Sequence, residues 1–108
     1  MIAEPITLIV LDFKTRLIAE GVPLRRVVVF GSQARGDADE DSDIDVLVLI
    51  DGPADYRTRK KVYRCAIDAG YDTGDIIQPV TMNFDEFEHG IERASLLAMA
   101  VRAEGIEV

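Results

Sequence analysis

VVVFGSQARGDADEDSDIDVLVLI, residues Val27 to Ile50, is the stretch on which the reading of this chain turns. It opens with β-branched and aromatic residues, breaks at Gly31 and Ser32, turns again after Gly36, crosses an acidic loop and ends in a second apolar run. That punctuation spells strand, phosphate-sized loop, strand. Asp43 and Asp45 head the second run, and because side chains alternate across a strand, both carboxylates project from the same face. At about 4 Å two such charges repel by roughly 1 kcal/mol in water and roughly 4 kcal/mol at an effective dielectric of about 20. A divalent cation between them reverses the sign.

Both runs are apolar on their two faces, the pattern of strands covered on both sides, so they should neighbour each other inside a sheet. Gly31 permits a sharp turn out of the first strand. Ser32 can start a short helical turn through Arg35 whose free N–H groups suit an anion. Gly-Ser after a strand is by itself more often an ordinary turn. Arg35 can pair with phosphate or hold the acidic loop beside it. Asp37, Asp39, Glu40 and Asp41 read as solvated loop without the glycine and spacing of an EF-hand, and Ser42 as a residue whose side chain shapes the approach to the second strand. The Asp43/Asp45 pair has its own plain alternative, an edge position where both acids meet water. An Asp on a covered strand would otherwise be costly.

Outward from this stretch, Ile6, Ile9, Val10, Phe13 and Leu17 recur at helical steps between Pro5 and Ala19, and Gly21 with Pro23 ends that helix. After the turn at Gly52 and Pro53, Asp55 can cap a helix running to about Ala69, with Tyr56, Val62, Tyr63, Ala66 and Ile67 as its apolar stripe. Its other side gathers Arg57, Arg59, Lys60, Lys61 and Arg64, a solvated face or a partner contact. Cys65 reads as a small buried side chain. A third strand spans Asp75 to Asn83, with Pro79 calling for an edge or a bulge. Asn83 or Asp85 caps a helical segment holding Phe84, Phe87 and Ile91. Ala94 to Glu104 reads as the last helix, and Ile106 to Val108 as a short strand or tail.

Composition narrows the chemistry. With 108 residues of which 48% are apolar, the expectation is one folded domain over residues 1–108. The formal net charge of -8 disfavours nonspecific DNA binding as the main activity. One cysteine and one histidine exclude thiol zinc sites and multi-histidine metal sites. A metal here is therefore oxygen-ligated: Mg²⁺, Mn²⁺ or Ca²⁺. No apolar run reaches membrane-spanning length and the N-terminus lacks a secretory pattern, so a cytoplasmic location is expected. A homo-oligomer is compatible with the sequence.

The run GSQARG, an acidic spacer and then SDIDVLV (Gly31 to Val48) resembles the signature of minimal nucleotidyltransferases of the DNA polymerase β superfamily. The rest of the chain is similar in layout: a leading helix, the motif, a basic helix, a third strand and an ending in RAEGIEV. The resemblance implies an α/β (α+β) fold, a small mixed β-sheet flanked by helices. It implies an NTP, with ATP as first choice, held through its phosphates by Gly31 and Ser32 with Arg35 near them. Two Mg²⁺ ions would sit on Asp43 and Asp45. A third carboxylate belongs on the next strand, where counting back from Asn83 finds Gln78. Asp75, the nearest acid, has the opposite parity and serves as a catalytic residue only through a bulge. Relatives of this kind also imply a HEPN-family protein partner and an antitoxin-like role. Two other readings stand beside this one: a weakly active or inactive scaffold protein of the same fold, and an acidic Ca²⁺-binding module using Asp37 to Asp45.

Overall fold

The structure, a computed structural model, describes residues 1–90 and 95–108. Helix α1 (Glu4–Ala19) carries Pro5 in its first turn, where a missing N–H leaves no bond unmade, and buries Ile9, Val10, Phe13 and Leu17 with Ile6 half-buried. Strand β1 (Leu24–Phe30) follows, then the four-residue helix α2 (Ser32–Arg35) and strand β2 (Ile44–Ile50). Helix α3 (Tyr56–Gly70) is capped by Asp55, whose carboxylate accepts the Thr58 N–H at 2.9 Å. Strand β3 (Ile77–Asn83), helix α4 (Phe84–His89), helix α5 (Leu96–Glu104) and strand β4 (Ile106–Glu107) complete the described elements. Ile91 and Ala94, expected in helices, lie outside the described residues.

The strands form one mixed sheet in the order β3-β2-β1-β4. Strand β1 runs antiparallel to β2 and β4, and β2 runs parallel to β3 through the α3 crossover. Every residue of β2 except Asp45 is buried, as the two-faced apolar pattern requires. One face packs Val27, Val29, Val46, Val48 and Ile50 under α1 and α3; the other packs Val28, Leu47 and Leu49 under α4 and α5, with Phe87, Ala98 and Val101. Burying side chains of this size stabilises the fold by about 1.5–3 kcal/mol each. Asp45 stands two and four residues from Leu47 and Leu49, in phase with them, and therefore belongs to the α4/α5 face.

Two expectations change and the open alternatives are decided. The core stripe of α3 is Val62, Cys65, Ala66 and Gly70, whereas Tyr56, Tyr63 and Ile67 are exposed on the outer side. Helical spacing placed two apolar stripes on this helix, and only tertiary packing against α1 selects the one that is buried. The third strand begins at Ile77 instead of Asp75, and of the two roles open to Pro79 it takes the edge, since β3 is outermost. The β2–β3 register runs from Ile44↔Ile77 to Ile50↔Asn83 without a shift, so there is no bulge. The final residues are a strand: Ile106 and Glu107 pair with Val29 and Val28, and the Val108 N–H donates to the Val27 carbonyl at 2.9 Å.

Candidate active site

The two halves of the opening stretch meet at one end of the sheet. Pairing of β1 with β2 sets Phe30 opposite Asp45, which brings Gly31 against that carboxylate. Gly31 has φ 73° and ψ -154°, a region essentially reserved for glycine, and a Cβ built there would overlap a carboxylate oxygen of Asp45. The small residue is thus needed twice, for the turn and for the close approach. From this turn α2 folds back, with the Ala34 and Arg35 N–H groups each donating to the Gly31 carbonyl at 3.1 Å. Gly36, in the left-handed region at φ 82°, closes it. The acidic loop is shaped as expected: the Asp39 N–H donates to Ser42 Oγ at 3.0 Å and the Ser42 hydroxyl to Asp39 Oδ1 at 3.1 Å.

The acids share their environment. Burial, and after it the charge of Asp43, pushes the Asp45 carboxyl above its ordinary value, while Arg35 pulls it the other way. On the neighbouring strand Gln78 is the register partner of Asp45, and its amide donates to Asp43 Oδ2 at 3.1 Å. The residue at the expected third-acid position therefore binds Asp43 as a hydrogen-bond donor. Asp75 lies two residues before β3; it lines a shallow cleft of about 160 Å³ with Glu40, Asp41, Ser42 and Asp43. Asp75 thus stands outside the paired strand, without a bulge in β3, and faces the same cleft as Asp43. No group of three His, Cys, Asp or Glu side chains able to hold a metal occurs among the described residues. Ca²⁺ takes six to eight oxygens, more than the side chains of this acid pair offer. A Mg²⁺ ion fits better, because it is commonly bound by one or two carboxylates together with substrate phosphates and waters. A larger groove of about 540 Å³ lies at the other end of β3, lined by Pro53, Arg59, Val80 and Met82, far along the sheet from the acids.

Sequence reasoning missed Glu104. This residue ends α5, and its Oε1 accepts the Gly31 N–H at 3.2 Å. The Arg35 guanidinium donates to both of its oxygens, at 3.1 and 3.2 Å, while Arg35 Nε donates to Asp37 Oδ2 at 3.1 Å. Asp37, and then Glu104, hold that guanidinium more firmly protonated than usual. Of the two roles open to Arg35, holding the acidic loop is realised, joined to a contact with the last helix. The sequence cues to Glu104 are its place in the family-like ending RAEGIEV and before a helix-ending glycine, and neither carries information about a partner 73 positions away.

Residues 12–96 match the nucleotidyltransferase domain family, and the chain belongs to it. It is 36% identical over 77 residues to the "Putative protein adenylyltransferase MJ0141" of Methanocaldococcus jannaschii, covering 64% of this chain and 78% of that protein. Its fold is shared with a crystallised toxin–antitoxin with AMP-PNP, at a TM-score of 0.61 and 21% identity over 89% of this chain and 69% of that one. It is also shared with a tri-AMPylated Shewanella oneidensis HEPN toxin in complex with MNT antitoxin, at a TM-score of 0.53 and 20% identity over 92% and 70% of the two chains. The mixed sheet with helices on both faces is thus the nucleotidyltransferase fold expected from the motif.

Proposed function

We propose that this chain transfers a nucleoside monophosphate, with AMP from ATP as the first choice, to a hydroxyl of a protein partner, and that the partner is a HEPN-type toxin which the modification silences. The observation that carries the reading is the packing of the Asp45 carboxylate against Gly31, with Asp43 alongside. It sets a pair of like-charged acids beside a loop of small residues at one sheet end. The protein adenylyltransferase name of the Methanocaldococcus relative and the HEPN–MNT complexes of the same fold support the choice of acceptor.

In this reading Asp43 and Asp45 hold Mg²⁺, two ions being the expectation, and Gly31 and Ser32 receive the phosphates with Arg35 nearby. The metal supplies charge neutralisation on the phosphates. The chain supplies position. The loop would hold the triphosphate, the acids would hold the metal that its phosphates meet, and the partner's hydroxyl oxygen attacks the α-phosphorus in line. A new P–O bond forms, the α–β bridging P–O bond breaks, pyrophosphate leaves and the hydroxyl proton passes to water. Gln78 holds Asp43 where a third acid would otherwise stand, so the pair works without it. A cytoplasmic site of action follows from the use of NTP. Among the described residues no helix is long and apolar enough to cross a membrane.

The test is incubation of the chain with labelled ATP, Mg²⁺ and the HEPN-type protein encoded beside it. Label and a mass increase of one AMP per modified hydroxyl should appear on the partner and vanish with Asp43→Ala/Asp45→Ala. Labelling that survives the double substitution removes the site from consideration. A stable complex with no labelling and no Mg-ATP binding marks a scaffold instead.

A further inference from the structure

The groups assigned above to phosphate already hold an anion, the chain's own Glu104. Its carboxylate accepts from the Gly31 N–H and lies against the Arg35 guanidinium, with 25% of the side chain exposed and 47% of Arg35 exposed. Asp37 takes the remaining edge of Arg35. The formal charge around the loop is then the Arg35 guanidinium and the Met1 ammonium, which donates to the Ala34 carbonyl at 2.8 Å, against Glu104, Asp37, Asp43 and Asp45. A bare triphosphate meets a net negative site whose Gly31 N–H and Arg35 guanidinium are in use, and is repelled.

Resting on the proposed nucleotidyltransferase reading, we infer that Glu104 is a specificity-determining residue: an internal stand-in for phosphate that closes the loop to metal-free anions and yields it only to a metal-bound nucleotide. Three features make it suited to this. It is the last residue of α5, followed by Gly105, so the side chain can leave without disturbing the core beneath Val101. Its partner is half exposed, and ion pairs of that kind are weak and easily exchanged. Its two oxygens match the donors that a phosphate would take, the Gly31 N–H and the Arg35 guanidinium. A nucleotide whose phosphates arrive with Mg²⁺ brings less negative charge and gains the Asp43/Asp45 pair, which repays the exchange. Free inorganic phosphate or tripolyphosphate has no such second contact.

The experiment is titration calorimetry of the full chain and of Glu104→Gln with tripolyphosphate in EDTA, ATP in EDTA, and Mg-ATP. Gln keeps the length and an oxygen for the Gly31 N–H and removes only the charge. The variant should bind tripolyphosphate and metal-free ATP on the order of tenfold more tightly than the natural chain, as expected for loss of one nearby negative charge in a partly screened site. Its affinity for Mg-ATP should change less. Glu104→Ala gives the same ranking if Gln proves unstable. Glu104→Asp, which keeps the charge, should not gain metal-free binding. The Gly31 amide resonance offers an independent readout. It should differ between the two free proteins and coincide once both are saturated with Mg-ATP. Unchanged metal-free affinity, with Mg-ATP bound normally, overturns the role of Glu104 and leaves the nucleotide reading intact. Failure of both proteins to bind Mg-ATP overturns that reading, and this inference with it.

Discussion

A methyl group at position 31 has nowhere to go. Gly31→Ala combines a backbone region that L side chains avoid with a clash against Asp45. Stability should fall by about 1–3 kcal/mol, read from urea unfolding. Mg-ATP binding should weaken with it, because Asp45 is the atom group displaced. Asp45 makes a pH prediction of opposite character. Its folded carboxyl sits above the unfolded value, first through burial and then through Asp43. Between those two values the folded chain holds a proton that the unfolded chain has released, so stability falls as pH rises through that window. In EDTA, Asp45→Asn should therefore be more stable than the natural chain at neutral pH. The difference should disappear below the carboxylate range, and thermal melts across pH check this. Equal melting profiles would mean that the acid is not perturbed.

Helices and strands place these groups. The unshifted β2–β3 register puts Gln78 beside Asp45, a matter of one strand's phase. Helix α3 is held at its start by Asp55, whose carboxyl is pulled below its ordinary value by the backbone N–H of Thr58. The sign follows directly: this contribution is present above the unfolded carboxylate value and is lost as pH falls through the lowered folded one. Asp55→Ala should lower the melting temperature at neutral pH, with the deficit shrinking in acid. Asp55→Asn should keep most of the cap without that pH dependence. Cys65 on the same helix is buried, and burial, ahead of the charges of Glu20 and Asp68, pushes its thiol up, as befits a packing residue.

Across the whole molecule, charge and apolar surface are unevenly spread. The chain carries a net charge of -8, yet α3 gathers Arg57, Arg59, Lys60, Lys61 and Arg64 around exposed Tyr56, Tyr63 and Ile67. This outer face lies on the α1/α3 side of the sheet, away from the Asp45 side. Two copies meeting through it would oppose like charges, so the face suits an acidic surface, which in the function proposed above is that of the protein partner. Lys60→Glu/Arg64→Glu should weaken that association and flatten its salt dependence, measured by calorimetry at two ionic strengths. Asp43→Ala/Asp45→Ala should leave association unchanged. Equal affinity for the charge-reversed chain would place the partner elsewhere.

What the amino-acid order determined alone is whatever depends on near neighbours. The strands at Val27 and Ile44, the four-residue turn between them, the Asp55 cap and the shared face of Asp43 and Asp45 all follow from alternation, glycine and local hydrogen bonding over a few positions. The family likeness was legible for the same reason, since its motif is contiguous from Gly31 to Val48. Tertiary structure alone decided which of α3's two apolar stripes is buried, that Gln78 bonds Asp43, and that Glu104 occupies the donors of Gly31 and Arg35. Each of those outcomes joins residues from different elements. Their distance is set by sheet register and helix docking, and no period or propensity along the chain encodes it.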